Sequence, residues 1–275
     1  MSSLQKDALH LPAASRTFLE SYLPPVEQAQ ANSSPYPFMT VTFATSLDSQ
    51  LALSPGTQTV LSGPQSKAMT HYLRSRHDAI LIGVGTAIAD NPGLNCRIEG
   101  VGGYGNEGLE GQPRPIVIDP HARWDFSESN KIFQLAREGK GRAPYIITTL
   151  SNPPAGKAAI LEKAGGKFIT LAPEASNNKL EWREILQALK TEGLQSVMIE
   201  GGAAVINALI VPEYFSVISS VIVTIAPTWL GEGGVVVSPP RRTEAGREIT
   251  AARLRHVQWH PFGEDVVLCG DFKDS

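Results

Sequence analysis

Asp78-Ala-Ile-Leu-Ile-Gly-Val-Gly-Thr86 decides the fold class. Its apolar run lacks the polar alternation of a half-solvated strand, so it reads as a strand buried on both faces. Strands of that kind belong to parallel sheets whose crossover helices cover both sides. Upstream, Met39–Leu47 (MTVTFATSL) is β-branched and alternating, and a second apolar piece, LALS, follows it. Between them and the buried run, Pro64–Arg76 has helical spacing, with Met69, Tyr72 and Leu73 on one face. Downstream, strand patterns at 116–119, 145–149, 167–171 and 196–200 are joined by helical ones at 155–164 and 179–193. A helix starts directly at Gly201-Gly202. The last third (SVISSVIVTIAP, VVVS, RLRHVQWHPF, EDVVLCGDF) has strands without long helices between them and reads as antiparallel edge strands or an interface. The prediction is an α/β fold with a mixed, mostly parallel central sheet, flanking helices and late antiparallel strands.

A chain of 275 residues can bury its core as one domain with insertions, here 36–275. Residues 1–35, rich in Pro, Ser, Ala and Gln, read as a peripheral N-terminal extension carrying one short helix from Ser15 to Tyr22. Six glycines and two prolines between Glu99 and Pro115 predict a long mobile loop. The formal charge of −3 supplies no basic field for nucleic acid. No apolar run is membrane-sized, and the N-terminus has no leader pattern, so a cytoplasmic protein acting on a small molecule is expected. Cys96 and Cys269 fit neither a disulfide framework nor a zinc site and read as core residues. No metal is expected.

Three places carry candidate chemistry. In Ser196–Leu209 (SVMIEGGAAVINAL) a buried strand turns through Gly201 and Gly202 into a helix starting near Ala203. Free backbone amides and the positive end of the helix dipole there suit a pyrophosphate. The same two glycines also fit a tight turn needed only for packing, and this is not the GxGxxG fingerprint. In IGVGTAIADNPGLNCR, Thr86 and Asp90 stand one helical turn apart, and Arg97 is suited to clamp a phosphate. An N-cap, a turn residue and a solvated charge are their plain readings. In FATSLDSQLAL, Ser46 and Asp48 sit where a strand ends, at the sheet edge where α/β folds bind ligands, although an Asp-Ser hairpin turn reads the same way. Lys67 and His71 share a helix face and add positive charge, as any exposed helical surface can.

Taken in order, TSLDSQLAL, HYLRSRHDAILIGVGTAIADNPGLNCR, PRPIVID and MIEGGAAVINALI followed by TIAPTWLGEGG resemble the reductase of the riboflavin pathway over residues 36–272. That family comprises the C-terminal domain of bacterial bifunctional deaminase-reductases and stand-alone fungal and archaeal enzymes, and the chain looks most similar to the fungal ones. The resemblance implies a dihydrofolate-reductase-like fold, NADPH as hydride donor and a homodimer through strands near 217–226 and 254–272. It assigns Thr86, Asp90, Gly201, Gly202, Ala203, Ala204 and Val205 to the cofactor. Ile169 is added as an adenosine wall from its position at a strand end. Glu200, Leu94, Asn95 and Arg97 would line the substrate, with Ser46, Lys67 and His71 beside them. Asp48 and Glu200 are the candidates for relaying a proton or stabilising an iminium.

The chain reads SLDS where the family commonly reads SLDG, so a differently shaped turn after Asp48, with altered substrate contacts, is expected. No HxE…PCxxC zinc pattern is present, so deaminase chemistry is not expected. A dihydrofolate or pterin reductase, or a non-catalytic nucleotide-binding protein, are the competing functions. No arginine marks a 2′-phosphate site; Thr148, Thr149 and Ser151 offer only hydroxyls.

Overall fold

The structure, a computed structural model, describes residues 7–26, 34–174, 179–241, 243–244, 246–248 and 251–272. Nine strands build its main sheet: β1 (Phe38–Thr45), β2 (Ala79–Gly83), β3 (Arg114–Ile118), β4 (Tyr145–Thr148), β5 (Lys167–Thr170), β6 (Ser196–Ile199), β7 (Ser220–Ile225), β8 (Leu254–Phe262) and β9 (Asp265–Phe272). Their spatial order is β8-β9-β7-β1-β6-β2-β3-β4-β5. Every pairing from β7 across to β5 is parallel, and only the pairings of β9 with β7 and with β8 are antiparallel. The helices are α1 (Ala13–Glu20), α2 (Pro64–Ser75), α3 (Val84–Asp90), α4 (Lys131–Arg137), α5 (Ala155–Lys163), α6 (Trp182–Thr191) and α7 (Ala203–Leu209).

The β2 run is buried on both faces, as its composition requires. Ala79 and Leu81 pack with Val197 and Ile199 under α6 and α7, while Ile80 and Ile82 pack under α3, α4 and α5. A third cluster joins Met69, Tyr72 and Leu73 of α2 to Met198, Ile222 and Cys269. Both cysteines are free and buried. Among the described residues no helix is long and apolar enough to cross a membrane.

Four sequence expectations need correction. The late strands are not all antiparallel: β7 lies inside the sheet, parallel to β1, and only β9 reverses. The segment 99–115 is a folded excursion, because the buried Gln112 amide bonds Cys96 and the Gly102 carbonyl, and Tyr104 receives a hydrogen bond from Asn95. The early helix begins at Ala13 after Pro12, not at Ser15. Finally, Leu11, Leu19, Tyr22 and Leu23 are core residues, so residues 7–26 form a packed layer; residues 1–6 and 27–33 of that extension lie outside the described residues.

One buried polar chain ties this core together. Ser220 donates to Thr40 (2.9 Å), the Thr40 hydroxyl meets His77 Nε2 (2.8 Å), and His77 Nδ1 meets the Leu73 carbonyl (2.7 Å). Burial, opposed by the Leu73 bond, pushes the His77 imidazole down from 6.5 to about 4, so the folded chain holds it neutral. The unfolded chain binds that proton first. Stability is therefore full above about pH 6.5 and falls as pH drops towards about 4, by about 3 kcal/mol from this group. Urea midpoints should fall across that interval, and less so in His77→Gln. Equal slopes in the two proteins would refute the assignment.

Candidate active site

The C-terminal ends of β1, β6 and β2 converge on a cleft of about 1110 Å³, roofed by the α2 face, the start of α7 and the segment from Asp90 to Arg97. β6 enters the sheet between β1 and β2, and such a break in strand order opens a crevice above the strand ends.

Glu200 directly follows β6, its amide donating to the Leu81 carbonyl (3.0 Å). Its two carboxylate oxygens accept from Arg74: Nη2 reaches Oε1 at 2.8 Å and Oε2 at 2.7 Å, and Nε reaches Oε2 at 3.2 Å. Arg74 also donates to the Asn95 carbonyl (3.1 Å) and thus joins both sides of the cleft. Sequence reasoning missed Arg74. The signal was available, since Lys67, His71 and Arg74 follow a helical i, i+4, i+7 pattern and all three line the cleft.

His71 is buried, and its Nδ1 accepts the Arg97 amide (3.1 Å), which leaves the ring proton on Nε2. Burial first, then the Arg74, Arg97 and Lys67 charges, push it down to about 2. It is a neutral donor, not a cation. Lys67 and Arg97 form no ion pair among the described residues, so two cationic heads face the same space. Leu94 holds a positive φ of 53°, an outlier for a bulky residue, and Asn95 beside it is anchored by Tyr104 and the Lys140 carbonyl.

At the Gly201-Gly202 turn, the Gly202 amide reaches Thr86 Oγ1 (3.3 Å). The amides of Gly201, Ala203 and Ala204 have no acceptor among the described residues. A Cβ at Gly201 would lie 3.1 Å from Ile82 Cα and 3.2 Å from the Gly83 nitrogen, so a side chain there strikes backbone. α7 is seven residues long, and the local amides, more than a long helix dipole, make this an anion cradle. Thr86 is not an N-cap, because α3 already begins at Val84 and its hydroxyl faces the glycine turn instead. Asp90 closes α3 and lines the cleft, with burial raising its carboxyl above the usual range. Ala203, Ala204 and Val205 also line it.

The remaining candidates stand apart. Asp48 is outside the lining: its carboxylate accepts from Ser46, Gln50 Nε2 (2.9 Å) and the amides of Leu230 (3.2 Å) and Gly231 (2.8 Å). Those bonds, led by Ser46, hold it at about 2, which suits a loop staple and not a proton relay near neutral pH. Ser46 is spent in the same turn, whose Ser49 adopts a φ of 61° at the position where SLDG has glycine. Ile169 lies on β5 at the far edge, packed on the core and outside the cleft. The Thr148 and Thr149 hydroxyls donate to the Pro120 carbonyl (3.0 and 2.8 Å) and also lie outside the lining, as does Ser151.

The model of the RibD C-terminal domain matches residues 37–268. The chain belongs to that family. A relative from Debaryomyces hansenii, 2,5-diamino-6-ribosylamino-4(3H)-pyrimidinone 5′-phosphate reductase, is 40% identical over 263 residues, covering 95% of this chain and 97% of that one. The solved riboflavin biosynthesis reductase Rib7 of Saccharomyces cerevisiae superimposes with a TM-score of 0.73 at 34% identity, over 94% of this chain and 99% of that chain. RibD of Acinetobacter baumannii, 20% identical, shares the fold with a TM-score of 0.66 over 88% of this chain and 59% of that one. The RibD-type chain is therefore a reductase with a dihydrofolate-reductase-like sheet. Its family membership implies a nicotinamide cofactor, and the amides of Gly201, Ala203 and Ala204, without an acceptor among the described residues, at a glycine turn with little room for a side chain fit the pyrophosphate of one.

Proposed function

We propose that the chain reduces 2,5-diamino-6-ribosylamino-4(3H)-pyrimidinone 5′-phosphate to its ribitylamino counterpart with NADPH, in the cytoplasm. The observation that carries this reading is the junction of the amide turn at Gly202–Ala204 with the Arg74–Glu200 pair and with Lys67 and Arg97, which form no ion pair among the described residues, in one cleft. Thr86, Asp90 and the 201–205 turn would hold the cofactor. Bound there, NADPH would supply a hydride to C1′ of the ring-opened imine form of the sugar.

The protein's own part is positioning and electrostatics. Glu200, clamped by Arg74, presents a fixed carboxylate to the positive charge of the imine nitrogen. Arg97 and Lys67 take the 5′-phosphate, and neutral His71 donates through Nε2 without adding a third charge. Leu94 and Asn95 shape the wall next to the sugar. A homodimer fits β8, an edge strand whose Val257 and Trp259 are 40% and 57% exposed.

Loss of NADPH absorbance with the pyrimidine phosphate, but not with dihydrofolate, is the expected result, with NADH at least about 10-fold poorer in kcat/KM. Turnover of dihydrofolate would favour the pterin reading. NADPH binding without turnover of any substrate would favour a non-catalytic protein.

A further inference from the structure

The N-terminal layer reaches the cleft. Asp7 lines it, and two residues on, Leu9 pairs with the segment carrying Arg97: the Leu9 amide donates to the Arg97 carbonyl (2.7 Å), and the Glu99 amide donates to the Leu9 carbonyl (3.0 Å). The Arg97 amide, on its other side, donates to His71 Nδ1 (3.1 Å). The Arg97 peptide is thus gripped from α2 and from the N-terminal layer at once. That layer is itself bolted down. Glu20 accepts from Tyr72 and from Arg76 (2.5 Å), Arg76 also donates to the Pro24 carbonyl (2.9 Å), and the Arg16 guanidinium lies 5.4 Å from the Tyr72 ring centre. Tyr22 donates to the His256 carbonyl (2.5 Å) and Phe18 stacks on His260 (4.7 Å), both on β8.

We infer that residues 7–11 are a strap that positions Arg97 for the substrate phosphate, so that an N-terminal segment outside the RibD-type region holds a substrate-binding side chain in place. This rests on the proposed function. Leu9 acts through its main chain: it is a positioning residue, and its side chain is dispensable for the effect. An Arg97 freed from one of its two grips keeps its charge but samples more orientations, which weakens ground-state capture of the phosphate more than the chemical step.

Leu9→Pro removes the donor to Arg97, Glu99→Pro removes the second rung, and Leu9→Ala keeps both. Steady-state kinetics should show KM for the pyrimidine phosphate raised about 10-fold in each proline variant, with kcat and KM for NADPH within about 2-fold of wild type. Inhibition by inorganic phosphate should weaken in parallel. Leu9→Ala should match wild type. The Glu99→Pro protein carries the test if Leu9→Pro does not fold. An unchanged KM, or a loss of kcat and NADPH affinity in step with KM, overturns the strap. Wild type inert toward the pyrimidine phosphate overturns the functional reading and the strap with it, whereas an active wild type matched by the proline variants overturns the strap alone.

Discussion

Arg74→Ala should lower kcat/KM for the pyrimidine phosphate by about 100-fold or more, equivalent to about 3 kcal/mol of lost transition-state stabilisation. The Arg74 and Glu200 side chains are 13% and 23% exposed, so removing one leaves the other's charge uncompensated in a largely buried position. Arg74 also carries the Asn95 carbonyl, so the wall beside the sugar loosens at the same time. Arg74→Lys should fall between the two, because an ammonium is a point charge that cannot hold both carboxylate oxygens and the carbonyl in one plane. Glu200→Gln should lose kcat with little change in NADPH affinity, since it keeps shape and loses charge. Arg74→Ala within 3-fold of wild type, by the ~1.4 kcal/mol-per-decade conversion, would remove the pair from the mechanism.

Gly201→Val should weaken NADPH binding by about 30-fold, or about 2 kcal/mol. Its β-carbon would meet the Ile82 and Gly83 backbone, which belongs to a buried central strand and cannot swing aside as a side chain can. The turn must shift instead, carrying the Ala203 and Ala204 amides away from the cradle. Fluorescence titration measures this directly. The same strain should cost about 1–3 kcal/mol of folding stability, read from urea midpoints. A variant that is destabilised yet binds NADPH normally would show that the turn serves packing alone.

How much of this was legible beforehand depends on the range of the interactions. The β2 run disclosed its parallel, doubly covered sheet because burial on both faces is written in its own composition, and the helices 155–163 and 182–191 disclosed themselves by local spacing. The place of β7 was not legible. Periodicity marks a strand but not its neighbours, and the β1–β7 register joins residues 180 apart in sequence, Thr40 to Ser220. The same reason hid the fate of Asp48. Its location at the strand end was readable, but its carboxylate turns to amides of Leu230 and Gly231 that only the fold brings near. Ile169 was placed by position alone, and four strand spacings separate β5 from β6. Gly202, Thr86, Asp90, Leu94, Asn95 and Arg97 do line one cleft, because the turn after β6, and α3 with the loop that continues it after β2, both start from neighbouring strand ends.

In the proposed reaction this cleft sets the reactive carbon of NADPH against the sugar of the pyrimidine phosphate. Turnover with NADPH carrying deuterium at its transferable position tests it most directly. NMR of the ribitylamino product should then find one deuterium at C1′ and none elsewhere. Product without label, or with label on the pyrimidine ring, would contradict it.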